Sequence, residues 1–242
     1  MAKRIKVKGP IISRDEKWIY DWFEYDSTTV DDIEGELPTD GSPIEVAINS
    51  PGGYVDEGSE IYYLLKNYKG HVTTDIVGTA ASAASIIAMA GDTVRISPTG
   101  QIMIHNVSGG ARGDYRDLYH EAGVLENFNK SIANAYRLKT GISENELLDF
   151  MNKETWLNAQ QAREMGFVDE ILFDNGKLVA SAQSGMIPID VLNKMKNMKD
   201  QLSIGNQPET INENNLNDNQ LEFAKAKLKN TILGGYKYAK KH

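Results

Sequence analysis

Cysteine is absent from the 242-residue sequence, which excludes disulfides, thiolate nucleophiles and cysteine-ligated metal sites. Its absence is typical of a reducing compartment, so we expect a cytoplasmic protein. No run approaches the ~20 apolar residues that a membrane-spanning helix needs. The basic N-terminus also lacks the apolar stretch of a signal peptide. The sequence therefore predicts a protein without a membrane partner.

Basic residues are fewer than acidic ones, and the net charge is −8. Residues 1–173 carry a net charge of −11, whereas residues 174–242 carry +3. An acidic body argues against nucleic acid as the main partner. The change in composition predicts a folded domain over 1–173 and a basic, Asn-rich, partly disordered extension over 174–242. Within the extension we expect a hairpin-type turn at 174–177 and a short basic helix over 221–233.

Strand-like and helix-like segments alternate along the first 173 residues. The predicted strands cover 44–48, 72–77, 93–96, 101–104 and 168–173. Predicted helices cover 56–68, the residues after Ser82, 115–138 with a cap at Gly141, a segment capped by Ser143 with Glu146, and a segment that begins at Asn158 with Gln161. Strand–helix alternation implies parallel strands with crossover connections, and hence an α/β fold.

One serine follows a predicted strand directly and precedes an apolar helix. Ser82 lies among alanines after Gly78, and small neighbours let a second backbone come close. A serine at a helix N-terminus has free N–H groups beside it, which suits a hydroxyl whose attack creates an oxyanion. The alternative is that Ser82 only caps the helix. Ser85 lies one helical turn further on the same face, but we expect its side chain to pack along the helix.

Two further motifs supply groups that such a serine needs. The Pro51–Val55 segment contains Gly52 and Gly53, which can aim backbone N–H groups at an oxyanion or can simply form a tight turn. His105 ends an apolar strand, and an imidazole is a suitable base for a hydroxyl nucleophile. The other histidines have poorer settings: His71 in a turn, His120 on the long helix and His242 at the terminus.

A carboxylate precedes the last predicted helix. Glu154 could orient the imidazole and stabilise its charged form, as the third member of a Ser-His-acid triad. It could equally be a solvated surface charge.

These motifs, in this order, resemble the ClpP family of serine peptidases from about Ile5 to Phe173. The resemblance implies a ClpP/crotonase-like spiral of strand–helix units, with Ser82 as nucleophile and His105 as general base. It implies that Gly52, Gly53 and Ala83 form the oxyanion hole, and that the helix from Tyr115 protrudes as a handle between stacked rings. Glu154 stands where the family usually has aspartate, so Asp149 and Asn152 remain alternative third members.

The resemblance implies an endopeptidase that needs no metal or organic cofactor. Its expected partners are polypeptide substrates and copies of itself in a ring, heptameric or doubly heptameric. No phosphate-binding Gly-x-x-x-x-Gly-Lys-Ser/Thr loop is present, so any ATPase would be a separate chain.

Within the family we favour the phage form, a head maturation protease that cleaves capsid or scaffold proteins, because of the Lys153–Trp156 stretch and the long extension. The alternatives are a housekeeping Clp proteolytic subunit, a catalytically idle assembly protein with the same fold, and an acyl-CoA enzyme of the related crotonase type. The extension could be a capsid tether, a self-cleaved segment or a solubilising tail.

Overall fold

The computed structural model describes residues 2–174, and a mixed sheet of seven strands lies at the centre of that part of the chain. The strands are β1 (Lys3–Lys8), β2 (Ile44–Ser50), β3 (Val72–Ala81), β4 (Thr93–Ile96), β5 (Gln101–Ile104), β6 (Thr155–Asn158) and β7 (Glu170–Ile171). Five of them are parallel neighbours in the order β1-β2-β3-β4-β7. Beyond β4, the long strand β3 also pairs in parallel with β5, which in turn pairs antiparallel with β6.

Seven α-helices connect or flank these strands within residues 2–174. They are α1 (Lys17–Trp22), α2 (Val30–Glu34), α3 (Val55–Lys66), α4 (Ala83–Ala88), α5 (Tyr115–Thr140), α6 (Glu144–Asn152) and α7 (Ala159–Glu164). Helix α5 ends at Gly141, whose φ of 74° is the left-handed conformation that a glycine cap provides. No helix in this part of the chain is both long and apolar enough to cross a membrane.

The core lies between one face of the sheet and the helices. Its sheet side is built from β-branched residues at alternate positions, such as Ile5 and Val7 of β1 and Val46 and Ile48 of β2, all at most 2% exposed. Only the C-terminal half of α5 reaches this core, through Ile132, Ala133, Ala135 and Tyr136. The N-terminal half of α5 therefore stands away from the domain.

The α/β fold of the ClpP type is confirmed, with its parallel strands and long helix. The predicted strand over 72–77 continues through Gly78 to Ala81, because its second half gains a new partner in β5. The last strand is shorter than predicted and covers only Glu170–Ile171. Neither β6 nor the four elements before residue 35 were predicted, namely β1, a short 3-10 helix at Arg14–Glu16, α1 and α2.

The helix caps follow the sequence closely. Asn158 and Gln161 form a full capping box, and the Ser143 side chain accepts a hydrogen bond from the Glu146 N–H without the reciprocal bond. Predictions for the extension, including the turn at 174–177 and the helix over 221–233, lie outside the described residues apart from Asp174.

Candidate active site

Ser82 occupies a strained turn between β3 and α4. Its φ of 53° and ψ of −127° are sparsely populated for a non-glycine residue. A hydrogen bond from the Ser82 N–H to the Met103 carbonyl, at 2.9 Å, holds the turn against β5. Although Ser82 is at the N-cap position, its side chain makes no capping hydrogen bond. The turn instead directs the hydroxyl away from the helix.

The Ser82 hydroxyl contacts the imidazole of His105. Ser82 Oγ and His105 Nε2 are 2.7 Å apart, and both residues are partly buried. The contact follows from the sheet, because the Ala81–Met103 pair places the ends of β3 and β5 side by side. When Nε2 carries no proton, the hydroxyl donates to it, which is the arrangement that general-base catalysis requires.

The glycine turn after β2 lies directly against Ser82. A Cβ atom on Gly52 would lie 2.6 Å from Ser82 Cβ and from the Ala81 carbonyl oxygen, and the φ of Gly52 is 92°. A Cβ on Gly53 would lie 1.9 Å from the Ile11 carbonyl oxygen. Both positions therefore need glycine on steric grounds.

Two N–H groups near Ser82 have no acceptor among residues 2–174, those of Gly53 and Ala83. The Gly52 N–H differs, because it donates to Ser50 Oγ at 3.1 Å. Gly53 and Ala83 therefore offer the free donors that an oxyanion would need. Gly52, which has no side chain, lets the glycine turn after β2 approach the Ser82 turn closely. Gly58 of α3 supports the same approach, since a Cβ there would lie 2.9 Å from Ala83 Cβ.

Glu154 lies next to His105 in the sheet register but not in hydrogen-bond contact with it. The last β5–β6 pair is Ile104 with Thr155, and His105 and Glu154 are the next residues on the two chains, just beyond this pairing. The Glu154 carboxylate accepts a hydrogen bond from Trp156 Nε1 at 3.3 Å. Within residues 2–174, no hydrogen bond joins it to His105. The backbone of Glu154 also has a positive φ of 48°, so its conformation differs from the extended conformation of β6, which follows it.

The alternative third members are placed differently. Asn152 is exposed, and its side-chain oxygen accepts from Asn106 Nδ2 at 2.8 Å, one residue beyond His105. The other oxygen of this pair, Asn106 Oδ1, is buried without a partner in the described part of the chain. Asp149 is exposed on α6. Asn106 was not among the predicted site residues, because a single amide after a strand carries no signal in the sequence.

Ser85 is fully buried. Its hydroxyl lies 2.6 Å from the Ser82 carbonyl oxygen and 2.8 Å from the Tyr136 hydroxyl. Of the remaining histidines, His71 contacts Thr93 at the surface, His120 is exposed on α5, and His242 is outside the described residues.

Comparisons with known proteins identify the family to which this chain is similar. The profile of the Clp protease family matches residues 36–175, more than half of the chain. The ATP-dependent Clp protease proteolytic subunit 1 of Chlamydia abortus is 34% identical over 142 residues, which are 57% of this chain and 74% of that protein. The ATP-dependent Clp protease proteolytic subunit of Chlorella vulgaris is 35% identical over 131 residues, 53% of this chain and 65% of that protein.

The fold and these matches define a serine peptidase. The chain belongs to the Clp protease family.

Proposed function

We propose that the chain hydrolyses peptide bonds inside polypeptides, with Ser82 as nucleophile, His105 as general base and Glu154 as the residue that orients His105. The observation that carries the proposal is the 2.7 Å contact between Ser82 Oγ and His105 Nε2 at a strained turn. The free N–H groups of Gly53 and Ala83 support it, because a tetrahedral intermediate needs donors beside the nucleophile.

The reaction would follow the acyl-enzyme route. Ser82 Oγ attacks the scissile carbonyl carbon while its proton passes to His105 Nε2, and the carbonyl oxygen becomes an oxyanion held by Gly53 and Ala83. When the C–N bond breaks, His105 returns the proton to the leaving amine. Water then attacks the acyl-Ser82 ester with the same base, which releases the acid and restores the hydroxyl. The substrate would lie as an added strand beside the glycine turn, bound mainly through its main chain.

The role of Glu154 requires a change of partner. Its carboxylate is exposed and bonded to the Trp156 indole, and it lies one residue beyond the β5–β6 ladder that leads to His105. Catalytic hydrogen bonds often tighten only when substrate is bound. A rotation of the Glu154 side chain away from Trp156 and towards the His105 ring would complete the triad.

The best-supported setting is that of a Clp proteolytic subunit that works with a separate ATPase. Both relatives named above are ATP-dependent Clp proteolytic subunits. The hypothesis of a phage head maturation protease, which we favoured because of Lys153–Trp156 and the extension, has no support from these relatives. We therefore prefer the alternative, a Clp proteolytic subunit that works with a separate ATPase. A cytoplasmic location, where ATP is available, belongs to this proposal.

Assembly into rings is part of the same proposal. Exposed apolar side chains occupy the protruding half of α5, including Tyr115 (69% exposed), Leu118 (51%) and Tyr119 (77%). Such a surface is covered in most proteins by a partner. We expect a heptameric ring or a stacked pair of rings, which sedimentation velocity would detect. A species of 27 kDa at working concentration would contradict it.

Labelling with a fluorophosphonate probe tests the catalytic assignment. We expect covalent label on Ser82, loss of label in Ser82→Ala and His105→Ala, and retention of label in Ser85→Ala, the matched control. Hydrolysis of a fluorogenic peptide should show the same pattern. An assembled protein that neither takes label nor cleaves peptides would instead be the idle assembly protein.

A further inference from the structure

A segment of the N-terminal region is attached to the oxyanion turn. The Ile11 N–H donates to the Gly52 carbonyl at 2.9 Å, and the Tyr54 N–H donates to the Ile11 carbonyl at 3.0 Å. The chain then leaves this point and returns at Thr28, whose carbonyl accepts from the Ile12 N–H at 2.9 Å. The intervening residues, which include α1, form what we term the 12–27 segment. Its position beside the cleft is thus fixed by the same backbone atoms that shape the glycine turn.

One carboxylate of this segment reaches the residue that follows Gly53. Glu16 is partly buried, and its Oε1 accepts a hydrogen bond from the Tyr54 hydroxyl at 2.9 Å. Tyr54 is half exposed and is the N-cap residue of α3. The hydrogen bond to Glu16, together with the charge of Glu16, raises the pKa of Tyr54, and Tyr20 and Glu57 add to the effect. Tyr54 therefore lies in a region of negative potential.

Three acidic residues near Glu16 are paired with a cation, whereas Glu16, like Asp15, Glu24 and Asp26, is not paired with one in the described part of the chain. Asp31 pairs with Arg14 at 2.6 Å, and Asp21 and Asp32 both pair with Lys17. Within residues 2–174, Glu16 has no ion-pair partner. The surrounding sequence would not neutralise it either, since residues 13–60 contain fourteen acidic and two basic side chains. A positive charge from a substrate would find an unpaired carboxylate here.

The sheet order assigns this carboxylate to one side of the scissile bond. β3, which leads to Ser82, lies between β2 and β5. His105 follows β5 and returns the proton to the leaving amine, so the residues after the scissile bond lie on the β5 side. The acyl residues, whose carbonyl is held by Gly53, lie on the β2 side. Tyr54 follows β2 through the glycine turn, and Glu16 follows β1, which pairs with β2 on the side away from β3, so both belong to that side.

We propose that Glu16, oriented by Tyr54, is a specificity-determining residue that favours lysine or arginine among the first few residues before the scissile bond. The proposal rests on the proposed peptidase function and names a substrate class for it. A carboxylate that is only partly buried attracts a cation with modest strength, so we expect a Lys-containing peptide to be cleaved about 3- to 10-fold faster than its Glu counterpart. The preference should shrink in 0.5 M salt.

The experiment compares kcat/KM for fluorogenic peptides that differ only at the second or third residue before the scissile bond, with Lys, Gln or Glu there. The full chain is measured as wild type and as Glu16→Gln, Glu16→Lys and Tyr54→Phe. The control is Glu170→Gln, which removes an equal charge on the edge strand β7. Titration with the fluorophosphonate probe fixes the active fraction of each preparation.

We expect the Lys-to-Glu ratio to fall towards 1 in Glu16→Gln, to invert in Glu16→Lys, to fall in part in Tyr54→Phe and to stay unchanged in Glu170→Gln. A merely structural Glu16–Tyr54 contact would change stability without moving this ratio. Active variants with the wild-type ratio would overturn the specificity proposal alone. Failure of the wild type to cleave any peptide or take the probe would instead overturn the proposed function, and the specificity with it.

Discussion

The hydroxyl of Ser85 bridges the nucleophile turn to the long helix α5, because it lies 2.6 Å from the Ser82 carbonyl oxygen and 2.8 Å from the Tyr136 hydroxyl. Both Ser85 and Tyr136 are buried, and burial raises the pKa of Tyr136, which stays neutral. The Ser82 carbonyl also accepts from the Ser85 N–H at 2.9 Å. The Ser85 hydroxyl therefore adds a second hydrogen bond to the Ser82 carbonyl oxygen.

The Ser85 and Tyr136 hydroxyls should contribute jointly to the free energy of unfolding. We expect Tyr136→Phe to lower the free energy of unfolding by about 1 kcal/mol, because Ser85 keeps its bond to Ser82. Ser85→Ala should cost more, about 1–3 kcal/mol, because it leaves the Tyr136 hydroxyl unpaired in the core. Denaturant unfolding of both variants and of the double variant gives the coupling energy. Strict additivity would show that the two hydroxyls are not coupled, and probe labelling of Ser82 should survive in all three.

The close approach of two turns should make Gly52 intolerant of any side chain. Alanine at this position would place a methyl group 2.6 Å from Ser82 Cβ at a φ of 92°. We expect Gly52→Ala to lower kcat/KM by about 10²-fold or more, because a displacement of the nucleophile of about 1 Å has that effect. Gly141→Ala is the matched control, since Gly141 also has a positive φ, of 74°, but no neighbour within 4 Å. It should lose about 1 kcal/mol of stability and keep its peptidase activity.

Much of the site follows from local sequence because the nucleophile, the base and the glycine turn each lie at the end of a strand. Ser82, His105 and the glycine turn each follow a run of apolar residues, and parallel strands bring their carboxyl ends to one edge of a sheet. The observed register, with Ala81 paired to Met103, is consistent with this rule. The strand boundaries themselves were less predictable, since β3 extends past Gly78 only because β5 pairs with its second half.

The missed features depend on contacts between residues far apart in sequence. The strand β6 has four residues and is stabilised by pairing with β5, some fifty residues earlier. The 12–27 segment is rich in aromatic and acidic side chains, with no clear period, and its place beside Gly53 is fixed by backbone bonds from Ile11. The partner of Glu154 was equally hidden, because the choice between Trp156 and His105 depends on a side-chain rotation.

The assignment of Glu154 can be tested against its alternatives. We expect Glu154→Gln to lower kcat by ~10²- to 10⁴-fold with a smaller change in KM, because the carboxylate stabilises the imidazolium that forms during attack. Asp149→Asn and Asn152→Ala should leave kcat within about threefold, because Asn152 is paired with Asn106 and Asp149 is exposed on α6. Single-turnover kinetics would separate the chemical step from product release. A larger loss in Asp149→Asn than in Glu154→Gln would transfer the role to Asp149.

Two ion pairs of equal length show how burial decides what a charge contributes to stability. Arg95 Nε lies 2.6 Å from Asp75 Oδ1, and Arg116 Nη2 lies 2.6 Å from Asp114 Oδ2. Asp75 is 4% exposed, whereas both members of the second pair are at the surface. Hydrogen bonding to Asp75 raises the pKa of Arg95, although partial burial opposes this, so the guanidinium stays charged.

Removal of the Arg95 cation from its pair with Asp75 should lower the free energy of unfolding more than Asp75→Asn or Arg116→Met does. We expect Arg95→Met to lower the free energy of unfolding by about 3 kcal/mol, since it leaves the Asp75 carboxylate buried and uncompensated. Asp75→Asn should cost less, because the Arg95 guanidinium reaches solvent and also contacts Glu45 at 3.4 Å. Arg116→Met should have no measurable effect, because solvent screens an exposed pair. Denaturant unfolding ranks the three variants, and equal costs for Arg95→Met and Asp75→Asn would contradict the idea that the unpaired buried carboxylate is the source of the loss.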